Sequence, residues 1–295
     1  MKKTSVYLPD RLKRRLAKQA EQSGRSEAEV IRDAIEAEVT ADDRRPKRQD
    51  DPPVAGRLVG VGVGPGAPDL LTVRALRALR RADRVVAPAT SLEAVGRAEQ
   101  IVREAAPDVV VERMVFVMAP DHEARSAALN EVCDRIVGYL DDGEEVAFIT
   151  LGDPNIYSTV SSVVAGVIAR RPGTPSETVA GIMAFQAVAM AGDLVLTDEQ
   201  QSLVLLPASS PDDMLAAEMA DPTRTVVLYK GGGRIATVAE HLDQADRLGD
   251  AVLGELMGMT GERVDKVASV RERPASYLST VISPAPTGAG PVPQR

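Results

Sequence analysis

Two periods of apolar residues alternate along most of this chain. From Leu58 to Val63 the run is apolar and ends in Gly64-Pro65-Gly66; from Asp69 onward, Leu70, Val73, Leu76 and Leu79 recur at helical spacing. That order predicts strand, tight loop, helix. The alternation repeats. A strand is predicted over 84–87, stopped by Pro88, and a helix over 91–105 carries Leu92, Val95, Ala98 and Val102. A strand over 109–117, a helix over 121–140, a strand over 146–151 and a helix over 160–171 follow. Beyond Leu194 longer strands are predicted at 203–206, 225–229 and 251–256, with helices near 211–220 and 234–244. Such alternation predicts an α/β fold of two lobes with largely parallel sheets and a cleft between them, over 56–192 and 193–283.

The first forty residues follow another pattern. Lys3, Ser5 and Tyr7 share one face of a short strand, and Thr4, Val6 and Leu8 the other, until Pro9 ends it. A helix is predicted from Asp10 to about Gln22, with Leu12, Leu16 and Ala20 on one stripe. Ser23-Gly24 breaks it, and Ser26 opens a second helix with Glu29 three residues on, a capping box. Val30, Ile31, Ala34 and Ile35 form the buried face of that helix. Residues 41–55 mix charges with prolines and read as a solvated linker. The segment 284–295, PAPTGAGPVPQR, reads as a disordered tail.

Composition narrows the class. The chain has 295 residues, 44% hydrophobic and 3% aromatic with no Trp, so its cores are built from Ala, Val and Leu. No apolar window reaches the length of a membrane span, and the N-terminus lacks the apolar core of a signal peptide. The single cysteine, Cys133, cannot form an internal disulfide and fits a reducing cytoplasm; Leu129, Val132 and Ile136 around it point to packing. Net charge is −8, and residues 1–53 hold 13 of the 35 Lys/Arg and 11 of the 43 Asp/Glu. The remainder is therefore acidic, which argues against nucleic-acid binding by the body. Only His122 and His241 are present, both on helical segments and read as surface residues, so no metal centre is expected.

The chemistry concentrates in glycine turns at predicted strand ends, where α/β sheets bind ligands. One is Gly64-Pro65-Gly66; another is Gly152-Asp153-Pro154. The dinucleotide fingerprint fails on spacing, because Pro65 stands where its last glycine belongs. Read alone, the first is a turn that only changes direction and the second an Asp-Pro turn capping a helix. Lys230-Gly231-Gly232-Gly233 lacks the following residues of a phosphate-binding loop.

Taken together, GVGPG-x-P-x-LLT at 62–72 and GDP-x-x-YST at 152–159 resemble the signatures of the tetrapyrrole methylase family. The family usually has an acid where Ala67 stands. The resemblance covers about residues 57–283 and implies a two-lobed fold with S-adenosylmethionine as cofactor and a tetrapyrrole substrate. It places the cofactor against Gly64, Pro65, Gly66, Gly152, Asp153 and Ile156. Gly181, Met183 and Ala184 take the adenine side, although Ala180 and Met183 replace the usual proline and hydroxyl residue. The turns at Lys230 and Gly258 resemble cofactor-facing turns of the second lobe. DEQQSLVLLPA, VVLYK and M-G-M-x-x-ERV resemble the branch that methylates precorrin-2, or its cobalt form, at carbon 20 in cobalamin synthesis. A base for loss of the meso proton is not identified; Glu112, Asp153 and Glu255 are candidates on spacing, and Arg113 and Lys230 for the substrate carboxylates.

Residues 2–39 resemble the ribbon–helix–helix DNA-binding module. That unit is too small to bury a core alone, so a homodimer is expected. The resemblance puts Lys3, Ser5 and Tyr7 at base edges and the amides around Arg25 and Ser26 on a phosphate. Three readings follow: a methyltransferase with a dimerising or operator-binding arm; a transcription regulator whose methylase body senses tetrapyrrole or cofactor, motivated by Ala67, Ala180 and Met183; and an antitoxin-like binding module.

Overall fold

The computed structural model describes residues 10–31, 56–116, 122–198 and 200–286. The chain divides into two compact units, Met1–Val54 and Ala55–Arg295. In the first, a helix spans Asp10–Ser23, one residue past the predicted end. It stops because Ser23 Oγ donates to Gln19 O (2.7 Å) and Gly24 turns left-handed at φ 63°. The capping box forms as predicted. Ser26 N donates to Glu29 Oε2 (2.9 Å) and Glu29 N to Ser26 Oγ (3.3 Å). Ala20 is buried and Leu16 half-buried. The predicted strand with Lys3, Ser5 and Tyr7, and the linker up to residue 55, lie outside the described residues.

The second unit contains two five-stranded sheets. The first has β1 (Arg57–Gly62), β2 (Arg84–Ala89), β3 (Val111–Val115), β4 (Glu145–Thr150) and β5 (Ser176–Val179) in the order β3-β2-β4-β1-β5, and all its pairings are parallel. β1 lies between β4 and β5. Burial on both faces explains why it reads as an unbroken apolar run: Val59 and Val61 are at 0% exposure on one face, and Leu58 is at 1% on the other. The second sheet has β6 (Ser202–Pro207), β7 (Arg224–Tyr229), β8 (Val252–Glu255), β9 (Arg263–Lys266) and β10 (Ser279–Ser283) in the order β6-β7-β10-β8-β9. Only β6 and β7 pair in parallel; the other neighbours are antiparallel. The expectation of parallel sheets therefore holds for the first sheet, while the second is mixed.

Several predicted elements shift. β2 runs through Pro88 to Ala89, because its pairing with β4 ends at Val86 and no proline amide is needed there. The first helix of the unit is Val73–Arg81, preceded by a 3-10 turn at Pro68–Leu70. Its buried face is Ala75, Ala78 and Leu79, and Val73 is exposed. The predicted helix over 91–105 begins only at Arg97. Ser91 Oγ accepts the Ala94 amide (3.1 Å) and diverts the chain into a turn, which leaves Leu92 and Val95 exposed. Cys133, Val132 and Ile136 are buried, and burial pushes the thiol pKa up, as packing requires. His241 is not a surface residue: its side chain is 14% exposed, 3.4 Å from Asp212 Oδ1. His122 opens the helix His122–Asp141, and its side chain lies outside the described residues. β5, β9, β10 and the helix Ala184–Ala191 were not predicted. The packed chain also continues past 283. Ala285 is buried with its amide on Thr225 Oγ1 (2.9 Å), and buried Arg247 donates to the carbonyls of Ser283 (2.7 Å) and Pro284 (2.8 Å).

At the carboxyl edge of the first sheet, three turns touch through backbone alone. A Cβ on Gly181 would sit 2.0 Å from Gly152 O, and one on Gly62 would sit 2.5 Å from the same oxygen. Gly181→Ala is expected to destabilise the unit by more than ~2 kcal/mol, since backbone cannot yield as a side chain does. Gly138→Ala, in an exposed helical position with nothing within 4 Å, should instead stabilise by up to ~1 kcal/mol. Urea denaturation of both variants measures the contrast; equal effects would refute the backbone junction.

Candidate functional site

The site begins with those turns. β1 feeds Gly64-Pro65-Gly66, β4 feeds Leu151-Gly152-Asp153, and β5 feeds Ala180 to Met183. Val63 N donates to Thr150 O (3.0 Å) and Gly152 N to Gly64 O (2.8 Å), so the first two turns form a two-residue bridge. Gly64 and Gly152 both take left-handed backbone, φ 88° and 70°. Asp153 joins the third turn: its Oδ2 accepts the Gly181 amide (3.0 Å) and its Oδ1 the Asn155 amide (2.8 Å). Thr72, last residue of the LLT stretch, caps its helix by accepting the Ala75 amide (3.0 Å) and also donates to Ala180 O (3.5 Å). The motif residues thus lock the turns to one another.

Beside this junction a cleft of about 260 Å³ opens between the two sheets. Pro65, Gly152, Ile156, Met183, Ala184 and Lys230 line it, all residues singled out from sequence. Gly64, Gly66, Asp153 and Gly258 do not; they shape the turns behind it. Gly66 and Gly258 meet backbone to backbone, where a Cβ on Gly66 would lie 1.9 Å from Met257 O. Sequence reasoning gave no site role to Tyr229 or Tyr277 in the lining; Tyr157 it held only as part of the second motif, and Met257 and Met259 only as part of the cofactor-facing turn at Gly258. Tyr157 lies within the second motif, at φ 49°, and its hydroxyl donates to Leu205 O (2.8 Å) across to β6. Its ring meets that of Tyr229 edge to face at 5.7 Å. The Tyr229 hydroxyl is buried without a hydrogen-bond partner, and burial pushes its phenol far above the ordinary value. Among the described residues lining the cleft there is no Asp or Glu, and Lys230 is the one cation.

The candidate bases are engaged elsewhere. Glu112 sits on the edge strand β3, accepting from Tyr139 Oη (3.0 Å) and paired with Arg135 (2.6 Å). Asp153 spends both oxygens on amides. Glu255 has a fully covered side chain and pairs with Arg263 and Arg273, each at 2.7 Å, and accepts the Ser276 amide (2.7 Å). Arg113 is likewise committed, to the covered carboxylate of Glu99 (2.6 and 2.9 Å), and does not reach the cleft. In the first unit, Glu29 occupies the Ser26 amide that a phosphate was expected to take, and the Arg25 amide donates to Ala20 O (3.1 Å). No cluster of metal-binding side chains occurs among the described residues.

Two α/β lobes, glycine turns at the carboxyl edge of a parallel sheet and an acid-free cleft between them define a two-lobed ligand-binding protein. The family model for tetrapyrrole (corrin/porphyrin) methylases matches residues 57–270, and the chain belongs to that family. Cobalt-precorrin-2 C(20)-methyltransferase of Salmonella typhimurium is 33% identical over 232 residues, 77% of this chain and 95% of that protein. The fold matches a solved cobalt precorrin-4 methyltransferase with a TM-score of 0.61 at 21% identity, covering 80% of this chain and 98% of that one. It also matches a uroporphyrin-III C-methyl transferase of Thermus thermophilus, complexed with S-adenyl homocysteine, with a TM-score of 0.56 at 21% identity over 78% and 92%. A second model, for ribbon-helix-helix proteins of the copG family, matches residues 2–42.

Glu255 carries a pH signature. Burial works to raise its pKa, but the Arg263 hydrogen bond, the Ser276 amide and the charges of Arg273 and Arg263 outweigh it and hold the carboxyl below its ordinary value. An unfolded Glu titrates near about 4.3, so the stabilisation is complete above that pH and is lost as pH falls through the lower folded value. Glu255→Gln should lose ~2 kcal/mol at pH 7, less than a fully buried pair because both arginines reach solvent. The gap to wild type should close in acid. Urea melts from pH 7 down to pH ~3.5 test this, and a constant gap would mean that packing, not charge, is lost.

Proposed function

We propose that the chain is a methyltransferase that moves a methyl group from S-adenosylmethionine to precorrin-2, or its cobalt form, at carbon 20, in cobalamin biosynthesis. The observation that carries this is the cleft itself. It lies where the family signatures converge, in a chain one-third identical to a cobalt-precorrin-2 C(20)-methyltransferase along 95% of that enzyme's length.

The cleft suits the cofactor. Pro65 and Gly152 present the first two turns to the cleft, and Gly64, Gly66 and Asp153 hold those turns in place from behind. Ile156, Met183 and Ala184 add apolar walls, and the turns at Lys230 and Gly258 close the second side. When bound, S-adenosylmethionine supplies an electrophilic methyl on sulfonium, which needs no acid to leave. The protein's contribution is then alignment, holding the acceptor carbon within about 3–3.5 Å of the methyl. The described lining holds hydroxyls, among them Thr150, Ser158 and Thr159, and no carboxylate.

A second activity is supported by the match over residues 2–42. On that reading the first unit pairs two copies and touches an operator through Lys3, Ser5 and Tyr7, with Arg25 beside the phosphates. It accompanies the enzyme reading and does not replace it. The body's likeness to complete biosynthetic enzymes disfavours a regulator that only senses ligand.

Incubation with isotope-labelled S-adenosylmethionine and precorrin-2 is expected to give one methyl per macrocycle. Gly152→Ala, strained at φ 70° and 3.2 Å from Met183 Sδ, should weaken S-adenosylhomocysteine binding by about tenfold or more. Label-free product from the wild-type protein sinks the enzyme reading. A gel shift with promoter DNA, lost on deleting residues 1–40, tests the second activity on its own.

A further inference from the structure

We propose that Tyr277 and Lys230 form a rim subsite that selects the acceptor, a flat polycarboxylate macrocycle whose face lies on the Tyr277 ring and whose carboxylates meet the Lys230 ammonium. This rests on the methyltransferase reading above and names the residues that admit its substrate.

Lys230 follows β7 in left-handed backbone, φ 60° and ψ 37°, which is uncommon for a residue other than Gly, Asn or Asp. Its amide donates to Ser279 O (3.0 Å), which fixes the turn. From there Nζ stands 5.6 Å from the centroid of the Tyr277 ring. The Lys230 side chain makes no ion pair with the described residues. A lysine on the cleft wall with no carboxylate beside it, in a chain of net charge −8, is a site for an anion from outside.

Tyr277 is 54% exposed, yet it is not on a loose loop. The strap 271–278 that carries it is fastened at both ends. Ser276 N and Arg273 Nη2 both reach the covered carboxylate of Glu255, at 2.7 Å each, and Leu256 N donates to Leu278 O (3.1 Å). Between these points the strap lies on the glycine loop after Lys230. A Cβ on Gly232 would come within 2.1 Å of Ser276 O, so Gly232 is what brings strap and lysine together. Glu255 is thus a positioning residue for the rim, in place of the base that its spacing suggested. An exposed aromatic face held rigidly beside an unpaired cation matches a planar, anionic ring system.

A carboxylate and a stackable ring also occur on the cofactor, so binding of the two ligands must be separated. With the full-length protein, porphyrin fluorescence titrations with uroporphyrin and the less carboxylated coproporphyrin report the macrocycle, and calorimetry with S-adenosylhomocysteine reports the cofactor. Lys230→Met should weaken uroporphyrin about tenfold and coproporphyrin less. Tyr277→Ala should weaken both porphyrins alike, and Tyr277→Phe should restore them. In each weakened variant the loss for porphyrin should exceed that for S-adenosylhomocysteine at least fivefold, roughly 1 kcal/mol. A loss confined to S-adenosylhomocysteine assigns the rim to the cofactor and overturns the proposal, as does porphyrin binding indifferent to both substitutions. A wild-type protein that transfers no methyl and binds no porphyrin overturns the methyltransferase reading as well, which separates the two failures.

Discussion

The second unit depends on one contact, the meeting of three backbone turns around the carbonyl of Gly152. Gly62 and Gly181 pack against each other and against that oxygen, and the Gly152 amide returns to Gly64. Side chains cannot enter this space, so the turns after β1, β4 and β5 meet through backbone. The spacing fixes where each strand stops and hence where the cleft wall stands. Asp153 explains why the junction needs an acid: one buried carboxylate accepts the amides of two turn residues, Asn155 and Gly181. A loop that seemed to offer a catalytic acid proves to be a clamp.

The same logic governs the other covered acids. Glu99 is held by Arg103 and Arg113, and Glu255 by Arg263 and Arg273. In both cases burial raises the carboxyl pKa and the paired guanidinium groups more than reverse it. A carboxylate tied to two arginines offers little negative potential to a neighbouring cleft. Among the described residues, the cleft wall of this acidic chain is therefore free of carboxylates.

Much of this was readable before any coordinates, and the failures share a physical cause. β1, β4 and β7 were found because strands buried on both faces are continuous apolar runs. The capping box at Ser26 was found because its chemistry is local. β10 was missed although it sits at the centre of its sheet, since Ser279, Thr280 and Ser283 break the apolar signal while being buried through pairing on both edges. The helix expected from residue 91 failed because Leu92 and Val95 matched the period, but Ser91 satisfied a nearby amide first. In the site, the glycine motifs located the cleft, yet half of its character comes from Tyr157, Tyr229 and Tyr277, which belong to three separate elements. No spacing in the sequence relates them. Only the antiparallel return of β10 beside β7 brings the strap of Tyr277 to Lys230.

The contacts between the two lobes place a constraint on how the cleft can open. Gly66 lies on the Met257 carbonyl and Gly258 on the Ala67 amide, so the first glycine turn carries a ligand wall on one side and the second lobe on the other. Tyr157 makes a comparable crossing through Leu205. A rigid separation of the lobes would break both at once and leave the Leu205 carbonyl and the Tyr157 hydroxyl to find other partners. The floor, where backbone meets backbone, and the strap of Tyr277, tied to Glu255 and Gly232, are both held, so the freedom left to the cleft is that of its side chains. On the proposed reading, the turns at the cofactor end are fixed by backbone contact between glycines, and the acceptor is met by the Tyr277 and Lys230 side chains above them.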